Sequence, residues 1–386
     1  PYEPGSTLKP FFVAGLLAAG DARLSDQVYG ENGSWTDPAG RVHTDVHPYG
    51  MLTLRDALRV SSNIGIVKFV PRTSAAEQYG MLRDFGFGTP TGVEYPVESG
   101  GRLPRPARWS RMTAASLATG YEVSVTPVQM TMAYGALANG GKLMEAHLLR
   151  ETRRAGGEAG WKLEPRVVRT VLPRRVTDEL REVLITVVDD GSAKAASLST
   201  FEVAGKTGTA RRTGANGRYE AGQYNSSFVS YFPARDPQLV IFVKLDRPQG
   251  DYYGGLTAAP VTRATLQAIL AARSPSLDRR ALLATRLPSA TPRAAAKAPR
   301  RPARASGREG TYVFESVPPK QSAAPSREAV PVPNLAGLPL RDATRRLHAL
   351  GFRVRVQGAG NVASTRPAAG ATQPRGTTVT LLGGER

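Results

Sequence analysis

Cysteine is absent from the 386 residues, so neither a disulfide framework nor a thiolate-ligated zinc site can be built. That absence fits a protein working outside the reducing cytoplasm. No run of about 18 apolar residues occurs, so the chain as given carries no membrane-spanning helix, and its start lacks the pattern of a signal peptide. Acidic residues are scarce: 32 stand against 51 Lys and Arg, for a formal charge of +19. Such a balance favours anionic surroundings (acidic headgroups, phosphate-rich polymers or nucleic acid) without choosing among them. Aromatics make up only 7% of the chain, yet 41% of it is apolar, enough for a globular protein with room for two domains.

Residues 1 to 272 read as one structured region. A first helix is expected from Ser6, just after Gly5, with Pro10 in its opening turn, where a missing N–H costs little. Thr126 and Pro127 supply an N-cap and an N1 proline, and Met130, Ala133, Tyr134 and Leu137 repeat at helical spacing up to Gly140. Further helices are expected over Thr53–Val60, Thr177–Asp190 and Ala258–Arg273, and strands over Phe201–Thr209, Ser227–Phe232 and Gln238–Leu245. Strands followed by a packing helix imply an α+β architecture, an antiparallel sheet covered by helices.

Between Arg273 and Arg308, 10 basic residues face one acid, Asp278, amid repeated Ala and Pro. This predicts an extended basic linker over 273–328. A nucleic-acid arm is disfavoured because no aromatic residue for base stacking occurs in it before Tyr312. Order returns over 329–386 as a small βαββ-like module, with an amphipathic helix over Pro339–Ala349 and strands over Phe352–Gln357 and Thr377–Leu382.

Three short motifs carry chemistry. In Ser6-Thr7-Leu8-Lys9, the i,i+3 spacing puts a hydroxyl and an amine on one helical face. Lys9 can take the Ser6 proton only when neutral, so its pKa must fall from about 10.4 through burial and a second nearby cation. Ser61-Ser62-Asn63 falls on a loop at a helix end, where the Ser61 hydroxyl can pass a proton to a leaving amine and the Asn63 amide can bond the lysine. Each of these alone occurs by chance roughly once or twice in such a chain. Lys206-Thr207-Gly208-Thr209 is more specific, expected roughly once in ten such chains. Its setting is a strand whose glycines let a substrate backbone lie alongside, with Lys206, Thr207 and Thr209 suited to a carboxylate. The backbone N–H groups of Ser6 and Thr209 are the candidate oxyanion hole.

Together these motifs resemble the transpeptidase domain of class B penicillin-binding proteins. Tyr2-Glu3-Pro4-Gly5-Ser6, Leu54-Arg55-Asp56-Ala57-Leu58, Phe85-Gly86-Phe87-Gly88, Val125-Thr126-Pro127-Val128-Gln129, Ala138-Asn139-Gly140-Gly141 and Ala258-Ala259-Pro260-Val261 resemble further family blocks in family order. The tail, from Val332-Pro333-Asn334-Leu335 to Pro367-Ala368-Ala369-Gly370, resembles one PASTA module. The resemblance implies a serine β-lactamase-like fold over 1–272 and a PASTA domain over 329–386. It also implies catalytic roles for Ser6, Lys9, Ser61, Asn63 and Lys206, substrate contacts from Thr207, Gly208 and Thr209, and neither metal nor cofactor. The expected reaction is D,D-transpeptidation. Ser6 would attack the penultimate carbonyl of a D-alanyl-D-alanine stem peptide, and the acyl group would pass to an amine on a neighbouring strand. β-Lactams would acylate Ser6 by mimicry.

Two departures from the family pattern stand out. Members carry strands before the nucleophile, then a pedestal and a membrane anchor, none of which precedes Pro1; the chain therefore reads as lacking its N-terminal part. Gly191-Ser192-Ala193 also stands where Gly-Thr-Ala is common, a difference read as neutral to the chemistry. By family analogy the single C-terminal module favours a septal or spore-wall role on the outer side of the cytoplasmic membrane. A membrane glycosyltransferase and division proteins would be the partners, and no nucleic acid.

Other readings are a β-lactam hydrolase and a non-catalytic wall-binding scaffold. The first requires, in its class A form, a Glu-x-x-x-Asn setting between the second and third motifs, which is absent; the intact motifs argue against the second. His43 and His47 stand four apart, but Gly40, Pro48 and Gly50 oppose a helix there and no third zinc ligand accompanies them.

Overall fold

The computed structural model describes residues 1–94, 97–153, 159–214, 219–272, 277–287, 329–358 and 360–384. The chain divides into two compact units, whose described residues end at Leu287 and begin again at Ala329.

In the first unit, Gly5–Leu8 forms a 3-10 turn that runs into α1, Lys9–Ala19, which ends at Gly20 in the left-handed conformation. The sequence predicts an α-helix from Ser6. The tighter opening turn arises where the Lys9 N–H bonds the Ser6 carbonyl, an i,i+3 bond that eclipses the two side chains. A short hairpin follows, β1 (Ser34–Thr36) paired with β2 (Val42–Thr44). Helix α2, Leu54–Arg59, is held by a capping box between Thr53 and Asp56, and α3, Asn63–Val67, starts from a Ser62 cap. Helix α4, Pro127–Ala138, begins with the expected Thr126 cap, its side chain accepting from the Gln129 N–H. Helix α5 spans Arg174–Asp189, starting earlier than expected because Pro173 opens it and Val176 joins the buried face.

The sheet has three antiparallel strands, β3 (Ala204–Thr213), β4 (Tyr219–Phe232) and β5 (Leu239–Asp246), in the order β5-β4-β3. Strand β3 begins later than the expected Phe201, which makes only an isolated bridge to Arg286, and runs on to Thr213; β4 begins earlier than Ser227, because the polar stretch from Tyr219 to Ser226 pairs by hairpin register, which periodicity does not show. Helix α6, Gly254–Ala271, packs on all three strands. The core centres on Phe11, fully buried, with the Phe85, Phe87 and Tyr134 rings at 4.6, 5.2 and 5.3 Å. The Tyr134 hydroxyl donates to the Thr7 carbonyl at 2.8 Å, tying α4 to the turn that carries Ser6.

The linker expected over 273–328 needs correction. Residues 277–287 carry helix α7, Arg279–Ala284, capped by the lone acid Asp278, with Leu277 and Leu282 buried in the first unit's core. Two leucines at that spacing supply enough apolar burial to order a basic segment whose charges remain in water. The rest of that span, 273–276 and 288–328, lies outside the described residues.

The second unit contains β6 (Ala329–Pro331), α8 (Leu340–Ala349), β7 (Arg353–Gln357), β8 (Asn361–Arg366), β9 (Thr372–Pro374) and β10 (Thr378–Gly384). The expected βαββ order is present, with β8 and β9 added. Strand β10 lies between a parallel β7 and an antiparallel β8, over a small core of Val332, Leu335, Leu347, Phe352, Val379 and Leu381.

Truncating Phe11 removes the ring on which the core around α1 packs. Phe11→Ala is expected to cost about 3 to 5 kcal/mol, read as a lowered midpoint in urea unfolding.

Candidate active site

The three motifs meet at the Ser61 side chain, although 145 residues separate Ser61 from Lys206. The Lys9 amine donates to the Ser61 carbonyl at 2.6 Å and to Asn63 Oδ1 at 2.8 Å, and lies 3.4 Å from Ser61 Oγ. From the other side the Lys206 amine donates to Ser61 Oγ at 2.8 Å and to the Thr207 carbonyl at 3.2 Å. Both lysines are fully buried. A hydroxyl has two lone pairs and one proton, so when both amines donate, the Ser61 proton is turned outward for another acceptor.

Burial pushes the Lys9 amine down to about 7, with the Asp45 carboxylate acting in the opposite direction. Lys206 is pushed well below the ordinary lysine range, first by burial and then by the positive charge of Lys9. Two amines reaching one hydroxyl in a space closed to water cannot both keep their protons cheaply at neutral pH.

Ser61 adopts φ +66°, the left-handed region that a side chain rarely occupies, at a cost of about 1 to 2 kcal/mol. The neighbouring bonds hold it there. Ser62 N–H bonds the Ala57 carbonyl, and the Ser62 hydroxyl both caps α3 and donates to Asp45.

Strand alternation puts Lys206 and Gly208 on one face of β3 and Thr207 and Thr209 on the other. Lys206 therefore faces Ser61. The Thr207 hydroxyl pairs with Ser192 Oγ at 2.8 Å, and Thr209 Oγ1 accepts from the Gly254 N–H at 3.0 Å. Gly208 meets the nucleophile turn directly: a Cβ there would lie 2.9 Å from the Pro4 carbonyl oxygen and 2.9 Å from Thr7 Cγ2. At Gly120, φ +84°, a Cβ would sit 1.9 Å from the Gly5 carbonyl oxygen, so only glycine fits. Gly5, next to Ser6, lies against the Thr209 backbone: a Cβ on it would sit 3.5 Å from the Thr209 carbonyl oxygen. Ser6 itself is half-buried, and no described residue hydrogen-bonds its hydroxyl.

Sequence reasoning missed Asp45 and Thr44, which hold Asn63, because neither belongs to a spaced motif. The Ser192 hydroxyl bonds Thr207, a contact that the hydroxyl of the commoner threonine can also make. The histidine pair is resolved differently. His43 lies in β2 and bonds Asp37 at 2.8 Å, and among the described residues no cluster of three His, Cys, Asp or Glu is gathered to hold a metal.

Residues 1–267 match the penicillin-binding protein transpeptidase domain, and residues 330–384 match the PASTA domain. The chain belongs to the class B penicillin-binding proteins. This penicillin-binding chain is 35% identical over 261 residues to the probable peptidoglycan D,D-transpeptidase PbpC of Pseudomonas aeruginosa, covering 67% of the chain and 44% of that protein. It is 32% identical over 263 residues to stage V sporulation protein D of Bacillus subtilis, covering 67% of the chain and 41% of the relative. The chain thus spans less than half the length of these relatives. Among solved structures, the transpeptidase domain of penicillin-binding protein 3 from Burkholderia pseudomallei aligns with a TM-score of 0.62 at 30% identity, covering 71% of this chain and 82% of that one. Penicillin-binding protein 3 of Mycobacterium tuberculosis, complexed with aztreonam, aligns with a TM-score of 0.63 at 29% identity, over 72% of this chain and 64% of that one. The fold of the first unit is therefore the α+β penicillin-binding fold.

Between about pH 7 and 10 the unfolded chain binds protons on Lys9 and Lys206 that the folded chain does not, so stability rises with pH across this window. Urea unfolding at pH 7 and pH 9 is expected to give the higher midpoint at pH 9, with a smaller difference in Lys9→Met. A midpoint that falls between those values would show that the lysines are not depressed.

Proposed function

We propose that this chain is the catalytic portion of a peptidoglycan D,D-transpeptidase that crosslinks stem peptides through an acyl-serine intermediate. The observation that carries the reading is the Ser61 hydroxyl receiving bonds from both Lys9 and Lys206, with Lys9 three residues along from Ser6, whose hydroxyl no described residue engages. In the neutral form, Lys9 takes the Ser6 proton as Ser6 Oγ attacks the penultimate D-alanyl carbonyl. The oxyanion is held by the N–H groups of Ser6 and Thr209. The C–N bond then breaks, D-alanine leaves with a proton passed through Ser61, and an amine from a second strand takes the acyl group. Asn63 steadies Lys9 and the substrate backbone. Lys206, from beneath β3, and the hydroxyls of Thr207 and Thr209, from its other face, act on the terminal carboxylate, with Gly208 allowing the peptide to lie close.

In this reading the transpeptidase domain, expected over 1–272, extends through α7 to Leu287, and 329–386 is the PASTA domain. The role is septal or spore-wall, outside the cytoplasmic membrane, in company with a membrane glycosyltransferase and division proteins. The likeness to stage V sporulation protein D supports that placement.

Ser6→Ala is expected to abolish covalent labelling by a fluorescent penicillin, and with it D-alanine release from a D-alanyl-D-alanine peptide, while the urea midpoint stays close to wild type. Labelling that persists in this variant removes Ser6 from the role. Rapid turnover of a chromogenic cephalosporin by the wild type points to a hydrolase instead.

A further inference from the structure

Asp45 follows β2 directly, and its carboxylate accepts hydrogen bonds from the Ser62 hydroxyl, from the Asn63 N–H at 2.5 Å and from the Ile64 N–H at 3.3 Å. Those two N–H groups open α3 and have no partner within the helix. The preceding residue completes the grip: the Thr44 carbonyl accepts from Asn63 Nδ2 at 2.9 Å, which leaves Asn63 Oδ1 turned to Lys9 at 2.8 Å. Two consecutive residues at the end of one strand thus set both the backbone and the amide of Asn63. The hairpin that carries them is itself anchored by the buried pair of His43 and Asp37 and by Arg41, which donates to Ser116 Oγ at 2.5 Å.

We propose that Asp45 is a positioning residue for the acylation of Ser6: it clamps the Ser61–Asn63 loop onto Lys9, and its negative charge opposes the loss of the Lys9 proton. The inference rests on the function proposed above. Asp45 favours the protonated lysine while burial disfavours it, so the charge sets how far burial alone can lower the amine. The other groups acting on this pair are Lys206 from β3, whose amine is influenced by Lys9, and Tyr49 from the loop after β2, which feels both Asp45 and Arg59 of α2. A carboxylate that only held the loop together would not move a pH profile.

Asp45→Asn keeps the shape and one acceptor oxygen for the Asn63 and Ile64 N–H groups, turns the other oxygen into a donor toward the Ser62 hydroxyl, and removes the charge. The measurement is the rate of acylation by a fluorescent penicillin against pH, on the full chain. In the wild type the acid limb is expected near pH 7, where Lys9 loses its proton. In Asp45→Asn the limb is expected to move to lower pH, because removing the carboxylate leaves burial unopposed. Asp45→Glu keeps the charge and displaces the grip; its limb is expected to stay while its plateau rate drops severalfold. A limb that does not move in Asp45→Asn overturns the proposal. Should that variant fail to fold, Asp45→Glu decides, and a limb that moves although the charge is kept overturns it equally. Failure of the wild type to label at any pH is a different result, since it removes the transpeptidase reading itself.

Discussion

Two buried lysine amines converging on one serine hydroxyl are the interaction on which the rest of this site depends. Holding Lys9 in a space closed to water costs roughly 4 kcal/mol at neutral pH, a large share of what a domain has in reserve. That cost is tolerable only because the surroundings satisfy every polar neighbour of the amine: the Ser61 carbonyl, the Ser61 hydroxyl and the Asn63 amide all accept from it. The same environment that penalises the charged amine makes it a base near neutral pH, so destabilisation and reactivity have one physical origin.

Bringing those groups together requires backbones to approach more closely than side chains allow. Gly208 lets the nucleophile turn lie against β3, and Gly120 lets a loop pass over the Gly5 carbonyl. The Phe11 cluster then supplies the packing that holds α1 in place, and the Tyr134 hydroxyl ties the turn before that helix to α4. Ser61 sits at positive φ, and the bonds from Ser62 and Asp45 on its C-terminal side keep it there.

Much of this was legible in the chain. The Thr126 cap and Pro127 opened a helix where expected, since capping is a local hydrogen bond between residues three apart. The sheet strands were found by their apolar runs, but their polar ends were not, because Tyr219 to Ser226 are ordered by pairing with β3 rather than by burial of an apolar face. The basic segment around Asp278 misled for a related reason: composition averages over a window, whereas Leu277 and Leu282 act singly, by docking on a surface made elsewhere in the chain.

The sequence by itself determined the chemical parts and their local geometry: a hydroxyl and an amine three residues apart, a serine and an asparagine at a helix end, and a lysine–threonine–glycine strand. Spacing along a helix or strand is covalent and needs no partner. Only the tertiary structure decided that Lys206 reaches Ser61, that Asp45 and Thr44 orient Asn63, that Ser192 bonds Thr207, and that Lys9 is depressed to about 7. Each of these depends on exclusion of water or on a charge brought near from a distant segment, and no spacing rule along the chain encodes either.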